Sequence, residues 1–309
     1  MQRLLVWNGG SGQAAEHAEW LAEAGHSYGM QVIDLSQNCD LTKVIAAACD
    51  DGCKTIIAAG GDGTVNAVVN SIMSLDVRRR PNLAILPLGT ANDFAGTLQI
   101  PDDLDQALEL IQTNQVVPVD VVKIQADNFE RYYANIAAGG NSARASEMIT
   151  DDIKASWGAF AYLRGGLPLL ADLKTFVVTA KCDAEEFVDV DCWAILVANG
   201  KTNAGRIVVA PYASPVDGLI DVIIIQGGTV LNIVDIVSQA LLGNYLECEQ
   251  VIHRQVRRLS LHSVPGMRFT IDGEIIDEEP VEFRALAGAI SMYVGDAFWQ
   301  EHQQRQIAS

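Results

Sequence analysis

Short apolar runs alternate with stretches of helical periodicity over the first third of the chain. Gly25 is expected to end the first of the helices. Strands that alternate with helices predict a parallel sheet that is covered on both faces. The apolar runs that predict buried strands lie at residues 4–7, 29–35, 54–58 and 83–88. The stretches with helical spacing lie at residues 14–24, 41–53, 65–73 and 104–112.

From about residue 116 the pattern changes to a series of short strands, which is typical of an antiparallel β-rich domain. Helical stretches at residues 151–173 and 230–242 interrupt the series. The strands are predicted at residues 119–124, 131–137, 176–180, 192–198, 219–225, 268–271 and 281–283.

These patterns together predict an α/β plus all-β protein. An α/β domain is expected over residues 1–125, and an antiparallel, β-sandwich-like domain over residues 126–289. The remaining residues, 290–309, are expected to pack back on the first domain.

The charge balance excludes some partners. The chain has 309 residues and a formal net charge of −18, whereas a surface that binds nucleic-acid phosphates needs an excess of basic residues. We therefore expect no nucleic-acid partner and no strong electrostatic docking on an anionic membrane. Two basic runs, residues 78–80 and 254–258, are local exceptions, and they predict either solvated faces or contacts with lipid headgroups.

Hydropathy and cysteine usage predict a soluble cytoplasmic protein. No apolar run reaches the roughly 18 residues that a membrane-spanning helix needs, and the run at residues 4–7 is too short for a signal peptide. The six cysteines show no metal-binding spacing, so reduced thiols are expected. Peripheral attachment to a membrane and a homodimer are both left open.

Residues 60–64, Gly-Gly-Asp-Gly-Thr, stand between a predicted buried strand and a predicted helix. Glycines allow the backbone to come close to a ligand, and the N–H groups at a helix start favour a phosphate. Asp62 alone would repel a phosphate, so we expect it to act through Mg²⁺ or a bound water. The alternative is a tight turn that uses Gly and Asp for its own geometry.

Polar segments also follow the other strands of the first domain. Asn8 and Gly9 follow the first strand, Ser36 follows the second, and Gly89 with Thr90 follows the fourth. Ligands of parallel sheets bind beyond the carboxyl ends of the strands, so these segments are expected to share one nucleotide site. Asn92 and Asp93 are also good helix caps, which is the structural alternative for them.

The motif at residues 60–64 resembles the nucleotide loop of diacylglycerol, sphingosine and ceramide kinases, YegS-like lipid kinases, NAD kinases and 6-phosphofructokinases. Residues 86–95, Leu-Pro-Leu-Gly-Thr-Ala-Asn-Asp-Phe-Ala, are similar to an element of the lipid kinase branch. The resemblance covers most of the chain and implies that Asn92 and Asp93 lie toward the acceptor cleft. It implies that ATP is bound by Asn8, Gly9, Ser11, Gly12, Ser36, Gly60, Gly61, Asp62, Gly63, Thr64, Asn66 and Thr90.

Two departures from the family pattern stand out. Gly9 replaces the proline of the common Asn-Pro-x-Ser-Gly loop, which loosens that turn. Ala67 replaces the glutamate that usually follows Asn66, which removes a polar contact.

Two Asp-Gly turns in the second domain resemble the acidic elements of the same family. The resemblance implies a structural Mg²⁺ held by the Asp217 carboxylate and by backbone oxygens of Ser214 and Leu219; hard oxygen ligands of this kind suit Mg²⁺. It also implies a catalytic base in the turn that holds Asp272 and Glu274, with Glu274 as the first candidate. Ordinary Asp-Gly turns are the alternative in both places.

The sequence thus predicts an ATP- and Mg²⁺-dependent lipid kinase that phosphorylates the hydroxyl of a diacylglycerol-like or related lipid at a membrane surface. An NAD kinase-like phosphotransferase is the enzymatic alternative. A non-catalytic regulator that binds nucleotide or lipid is the other alternative.

Overall fold

The computed structural model describes residues 3–9, 16–37, 39–113, 115–141, 173–203, 205–271, 274–276 and 282–308. They form two compact units, one of Met1–Val121 with Ala287–Ser309 and one of Val122–Leu286. The predicted helix at residues 151–173 lies outside the described residues, apart from its last position.

The described ranges of the chain form seventeen strands. They are β1 (Arg3–Trp7), β2 (Gln31–Asp34), β3 (Thr55–Gly60), β4 (Asn82–Pro87), β5 (Val116–Ala126), β6 (Phe129–Tyr133), β7 (Ile136–Gly140), β8 (Phe176–Cys182), β9 (Glu185–Ala198), β10 (Thr202–Asn203), β11 (Ile207–Val208), β12 (Ile220–Gln226), β13 (Val251–Val256), β14 (Arg258–Val264), β15 (Phe269–Ile271), β16 (Glu274–Ile276) and β17 (Glu282–Tyr293).

The helices of the described residues follow the predicted order, with two that the periodicity did not indicate. They are α1 (Ala18–Ser27), α2 (Leu41–Asp50), α3 (Asp62–Met73), α4 (Asp93–Thr97), α5 (Leu104–Thr113), α6 (Val230–Leu242) and α7 (Asp296–Ala308). None of these helices within the described ranges is long and apolar enough to cross a membrane.

The first unit contains the predicted parallel sheet, in the order β2-β1-β3-β4. The C-terminal half of β17 continues it in parallel with β4, at Met292 opposite Leu83. Every residue of β3 is buried, and so are Leu4 to Val6 of β1. Such continuous burial is expected of inner strands that carry helices on both faces.

The prediction that Gly25 ends the first helix is wrong. The helix α1 runs on to Ser27, and Gly25 is one of its buried residues. A Cβ built on Gly25 would lie 2.6 Å from Cγ2 of Val32 in β2. Gly25 therefore serves the close packing of helix on strand, which local pattern does not reveal.

The second unit is antiparallel and matches the predicted β-rich class. Its main path runs β16-β15-β7-β9-β8-β14 and ends on the first residues of β17, while β12 pairs with β9 and β13. Its inward side chains form a continuous apolar core that includes Tyr133, Phe269 and Phe283. A second apolar cluster with Ile223, Ile236 and Tyr245 lies under α6.

The strand prediction differs from the structure in this unit by one divided run and by several missing strands. The run at 131–137 is two strands, β6 and β7, because the chain breaks at Asn135, whose Nδ2 donates to the Thr202 carbonyl at 3.0 Å. Strands β10, β11, β13, β14 and β16 were not predicted. In β14 buried and exposed residues alternate strictly, so alternation was a signal for it.

Candidate functional site

The strand order of the first unit reverses at β1. From β1 the chain goes to β2 on one side, and β3 then lies on the other side of β1. Such a reversal of strand order is where open α/β sheets bind ligands. Gly9, Ser36, residues 61–64 and Gly89 directly follow the four strands, so the structure brings these predicted segments to one edge.

The motif at residues 60–64, called the Gly60 loop below, contains a shorter loop than the sequence pattern suggested. The helix α3 begins at Asp62, immediately after Gly61, so Asp62, Gly63 and Thr64 form its first turn rather than a preceding loop. A Cβ on Gly60 would lie 2.3 Å from Oγ1 of Thr64, so the strand passes into the helix with no room for a side chain there. The first N–H groups of a helix lack intrahelical acceptors and attract anions.

Gly63 faces open space at this helix start. It is exposed, and a Cβ built on it would meet no atom of the described residues within 4 Å. The backbone of the first turn is therefore accessible to a ligand. This accessible cradle, with N–H groups at a helix N-terminus, fits a phosphate group.

The Gly60 loop contacts the segment between β4 and α4, called the Gly89 loop below, through the backbone. A Cβ on Gly89 would lie 2.3 Å from Cα of Gly61, and one on Gly61 would lie 3.1 Å from Cα of Gly89. Two glycines are therefore required for this approach. The exposed Thr90 follows directly, so its hydroxyl lies next to the junction of the two loops.

Asp62 joins the two loops through hydrogen bonds. Its Oδ2 accepts the N–H of Asp93 at 3.1 Å, and its Oδ1 accepts the N–H of Phe94 at 3.0 Å. Asp62 thus caps α4 from outside that helix, as a carboxylate at a helix N-terminus does. The structure gives this side chain a positioning role that the sequence did not suggest.

Asn92 holds the Gly89 turn closed. It adopts a left-handed conformation with φ 51°, its Oδ1 accepts the Gly89 N–H at 2.8 Å, and its Nδ2 donates to the Gly89 carbonyl at 2.7 Å. Asp93 is buried at the start of α4. The placement of both residues toward an acceptor cleft stays a prediction.

The first loop is tied to the end of β2 by Asp34, which the sequence did not single out. Its Oδ1 accepts the N–H groups of Gly9 at 3.0 Å and of Ser36 at 2.9 Å. These hydrogen bonds, first that of Gly9 and then that of Ser36, hold the pKa of the carboxyl below its usual value. An acidic residue at the end of the second strand of a nucleotide-binding fold was the available signal.

The remaining predicted site residues are described to different extents. Ser11, Gly12 and Asp272 lie outside the described residues, and only the backbone of Glu274 is described, paired opposite Ile271 in the β15–β16 hairpin. Asn66 is buried in α3, where its Oδ1 accepts Nδ2 of Asn70 at 2.8 Å. Asn8 is half-buried at the end of β1.

The predicted metal turn precedes β12. Oδ1 of the exposed Asp217 accepts the Leu219 N–H at 2.9 Å, and Gly218 takes a positive φ of 74° between them. Within the described ranges no three His, Cys, Asp or Glu side chains cluster as a metal site. A cation here would use one carboxylate with carbonyl oxygens of Ser214 and Leu219, a hard donor set that fits Mg²⁺.

The basic runs are largely engaged by other groups. Arg79 pairs with Asp50, and Arg80 donates to the Ala289 carbonyl at 3.0 Å. In the second unit, Arg254 forms a two-pronged pair with Glu185 at 2.7 and 2.9 Å, and Arg258 pairs with Glu282. These pairings neutralise much of the positive charge of the two runs. They therefore favour solvated faces over a basic patch that binds lipid headgroups.

Comparisons with known proteins agree over both units. The family model of the diacylglycerol kinase catalytic domain matches residues 2–124, and that of the YegS C-terminal NAD kinase beta sandwich-like domain matches residues 135–294. A diacylglycerol kinase of Staphylococcus saprophyticus is 31% identical over 256 residues, which is 82% of this chain and 81% of that protein. One from Staphylococcus aureus is also 31% identical, over 82% of this chain and 78% of its own length.

Solved structures share the fold. A diacylglycerol kinase from Bacillus anthracis matches with a TM-score of 0.74 and 22% identity, over 96% of this chain and 98% of that one. An NAD kinase from Archaeoglobus fulgidus in complex with ATP matches with a TM-score of 0.56 and 15% identity, over 99% of this chain and 98% of its own. The predicted fold class, α/β followed by a sandwich-like β domain, is confirmed. The chain belongs to the diacylglycerol kinase and YegS-like family of lipid kinases.

Proposed function

We propose that this lipid kinase transfers the γ-phosphate of ATP to the hydroxyl of diacylglycerol or a closely related lipid, with the help of Mg²⁺. The observation that carries the proposal is the backbone contact of the Gly60 and Gly89 loops, where a Cβ on Gly89 would lie 2.3 Å from Cα of Gly61. Relatives named diacylglycerol kinase support the choice of acceptor.

The nucleotide is proposed to lie across the strand ends of the first unit. Its phosphates would sit at the accessible first turn of α3, around Gly63. Phosphoryl transfer depends on positioning and on neutralisation of charge more than on covalent chemistry by the protein. A rigid pair of loops, fixed by Asp62, is suited to such positioning.

Mg²⁺ would supply charge neutralisation when bound. Asp217, with carbonyl oxygens of Ser214 and Leu219, is the proposed structural site, and the role of Asp62 toward Mg²⁺ stays a prediction. Glu274, with Asp272 as second candidate, is proposed as the base that accepts the proton of the lipid hydroxyl. The protein is proposed to act from the cytoplasm at a membrane surface.

The function is tested by transfer of labelled γ-phosphate from ATP to a panel of lipids in mixed micelles, with NAD as a soluble acceptor. We expect label in diacylglycerol or a close relative and none in NAD. Label in NAD alone would favour the NAD kinase alternative. ATP binding without any transfer would favour the regulator.

Gly63→Ala tests the phosphate cradle in the same assay. The methyl group meets no described atom within 4 Å, and alanine is the better helix residue by about 1 kcal/mol at most, so the melting temperature should hold or rise. ATP affinity should nevertheless fall about tenfold or more, since the methyl group occupies the position proposed for a phosphate.

The matched control is Gly227→Ala in the second unit, where the nearest atom to the added Cβ is at 3.4 Å. It should leave ATP affinity unchanged. Unaltered affinity in Gly63→Ala would exclude this helix start as the phosphate site.

A further inference from the structure

We infer that the Asp34 carboxylate binds the ribose hydroxyls of the nucleotide, and that Gly9 makes room for this contact. The inference rests on the proposed function, because it specifies how the same site recognises the sugar of its nucleotide. Asp34 was not among the residues that the sequence motifs indicated, and it lies outside the glycine loops.

The position of Asp34 in the sheet matches that of a ribose. Asp34 is the last residue of β2 and lies in register with Trp7 of β1, which in turn lies in register with Ala59 of β3. Neighbouring strands are about 4.8 Å apart, so the end of β2 is about 10 Å from the end of β3. A nucleotide with phosphates at α3 would therefore present its sugar near β2.

The charge of Asp34 favours a sugar over a phosphate. A carboxylate repels phosphate oxygens, whereas it accepts hydrogen bonds from hydroxyl groups. Asp34 is half-buried at the carboxyl end of β2 and carries no cationic partner among the described residues. The N–H groups of Gly9 and Ser36 donate to the carboxylate, which stabilises its charged form and fixes its orientation.

The carboxylate has capacity for a ligand. A carboxylate offers about four acceptor sites. The N–H groups of Gly9 and Ser36 both use Oδ1, and the Ser36 side chain also hydrogen-bonds to the carboxyl, which leaves capacity for one further donor. The fixed Oδ1 orients the group, as preorganised acceptors do in binding sites. A sugar hydroxyl therefore meets an acceptor that is already in place.

Gly9 is the residue that permits this arrangement. A Cβ on Gly9 would lie 2.8 Å from Oδ2 of Asp34 and 3.1 Å from Cη2 of Trp7. Any side chain would crowd the oxygen that is offered to the ligand, and a proline would also lack the N–H that Oδ1 accepts. The glycine that departs from the Asn-Pro-x-Ser-Gly pattern and the acidic residue at β2 thus form one device.

The test is direct binding of ADP, 2′-deoxy-ADP and 2′,3′-dideoxy-ADP by calorimetry, with wild type, Asp34→Asn and Gly9→Ala. Asparagine is a neutral isostere that still offers an oxygen to the two N–H groups, so Asp34→Asn isolates the charge. We expect wild type to bind ADP at least about tenfold more tightly than the dideoxy analogue, since hydrogen bonds to charged groups are strong. In both variants the ratio should fall toward one.

Asp40→Asn is the matched control, because Asp40 also accepts a backbone N–H, that of Lys43, at a nearby element. It should keep the wild-type ratio. Weaker binding of ADP and of the dideoxy analogue by the same factor in Asp34→Asn, with the ratio preserved, would show a purely structural role and overturn the inference. So would a wild-type ratio of one.

The two proposals fail separately. Discrimination between ADP and its deoxy analogues without phosphate transfer to any lipid would retain the ribose contact and remove the kinase assignment. Lipid phosphorylation without discrimination would do the reverse. Absence of all nucleotide binding in folded wild type would overturn both.

Discussion

Asp62 is the side chain that holds the two glycine loops of the first unit together. Each of its oxygens accepts one backbone N–H at the start of α4, at 3.1 and 3.0 Å. Charge-assisted bonds of this kind are stronger than neutral ones. An acidic residue in this glycine-rich segment is thereby explained by a partner 31 residues away.

Asp62→Asn should lower the free energy of unfolding by about 1–3 kcal/mol, because the amide keeps one acceptor and turns an NH₂ group toward the second N–H. Urea denaturation measures the loss. Asp40→Asn is the matched control, since asparagine caps a helix as well as aspartate does and the ion pair of Asp40 with Lys43 is exposed and contributes little; its change should be near zero. Equal changes in the two variants would contradict the bridging role of Asp62.

At the scale of elements, the turn between β4 and α4 depends on a conformation that few residues adopt. Asn92 has φ 51° and closes the turn through both of its side-chain polar atoms. Left-handed residues without a compensating contact cost about 1–2 kcal/mol. The side chain therefore contributes both the conformation and the hydrogen bonds.

Asn92→Ala should destabilise the protein by about 1 kcal/mol more than Asn92→Gly, because glycine loses only the hydrogen bonds whereas alanine also carries the strain. Chemical denaturation of both variants gives the difference. Gln99, exposed with φ 54°, offers the control: Gln99→Gly should show little loss, since that side chain closes no turn and its bond from Nε2 to Oε1 of Glu301 is long and exposed at 3.4 Å. Identical stabilities of Asn92→Ala and Asn92→Gly would refute the argument.

For the whole molecule, the net negative charge is expected to govern the electrostatic interaction with a membrane surface. The net charge is −18, and the arginines at positions 79, 80, 254 and 258 are engaged by carboxylates or carbonyl oxygens. A membrane with anionic lipid should therefore repel the protein over a distance of about one Debye length.

Phosphate transfer to diacylglycerol in vesicles that contain anionic lipid should accordingly be slower at about 10 mM salt than at about 0.15 M salt, where the Debye length falls from about 30 to about 8 Å. The measurement is the initial rate at constant Mg²⁺. Vesicles of zwitterionic lipid alone serve as the control and should show little salt dependence. A rate that is highest on anionic vesicles at low salt would contradict the predicted repulsion and would indicate that a basic surface faces the membrane.

Local patterns in the sequence are sufficient to predict the order of the elements and the residue types of the loops. Apolar runs and helical spacing are local signals, and they located β1, β3, β4, α2 and α6 to within a few residues. The role of Gly60, Gly61 and Gly89 could also be predicted, because a glycine-rich turn between a strand and a helix is typical of a phosphate-binding loop. Motif order then indicated the family.

Contacts between side chains that lie far apart in the chain could not be predicted from local patterns and became known from the assembled fold. Asp34 reaches Gly9 over 25 residues, Asp62 reaches Phe94 over 32, and Gly25 packs on β2. Strand order sets such contacts, and strand order is not encoded in local periodicity. The arrangement of the proposed nucleotide site is therefore a property of the assembled sheet, whereas its glycine loops are a property of the sequence.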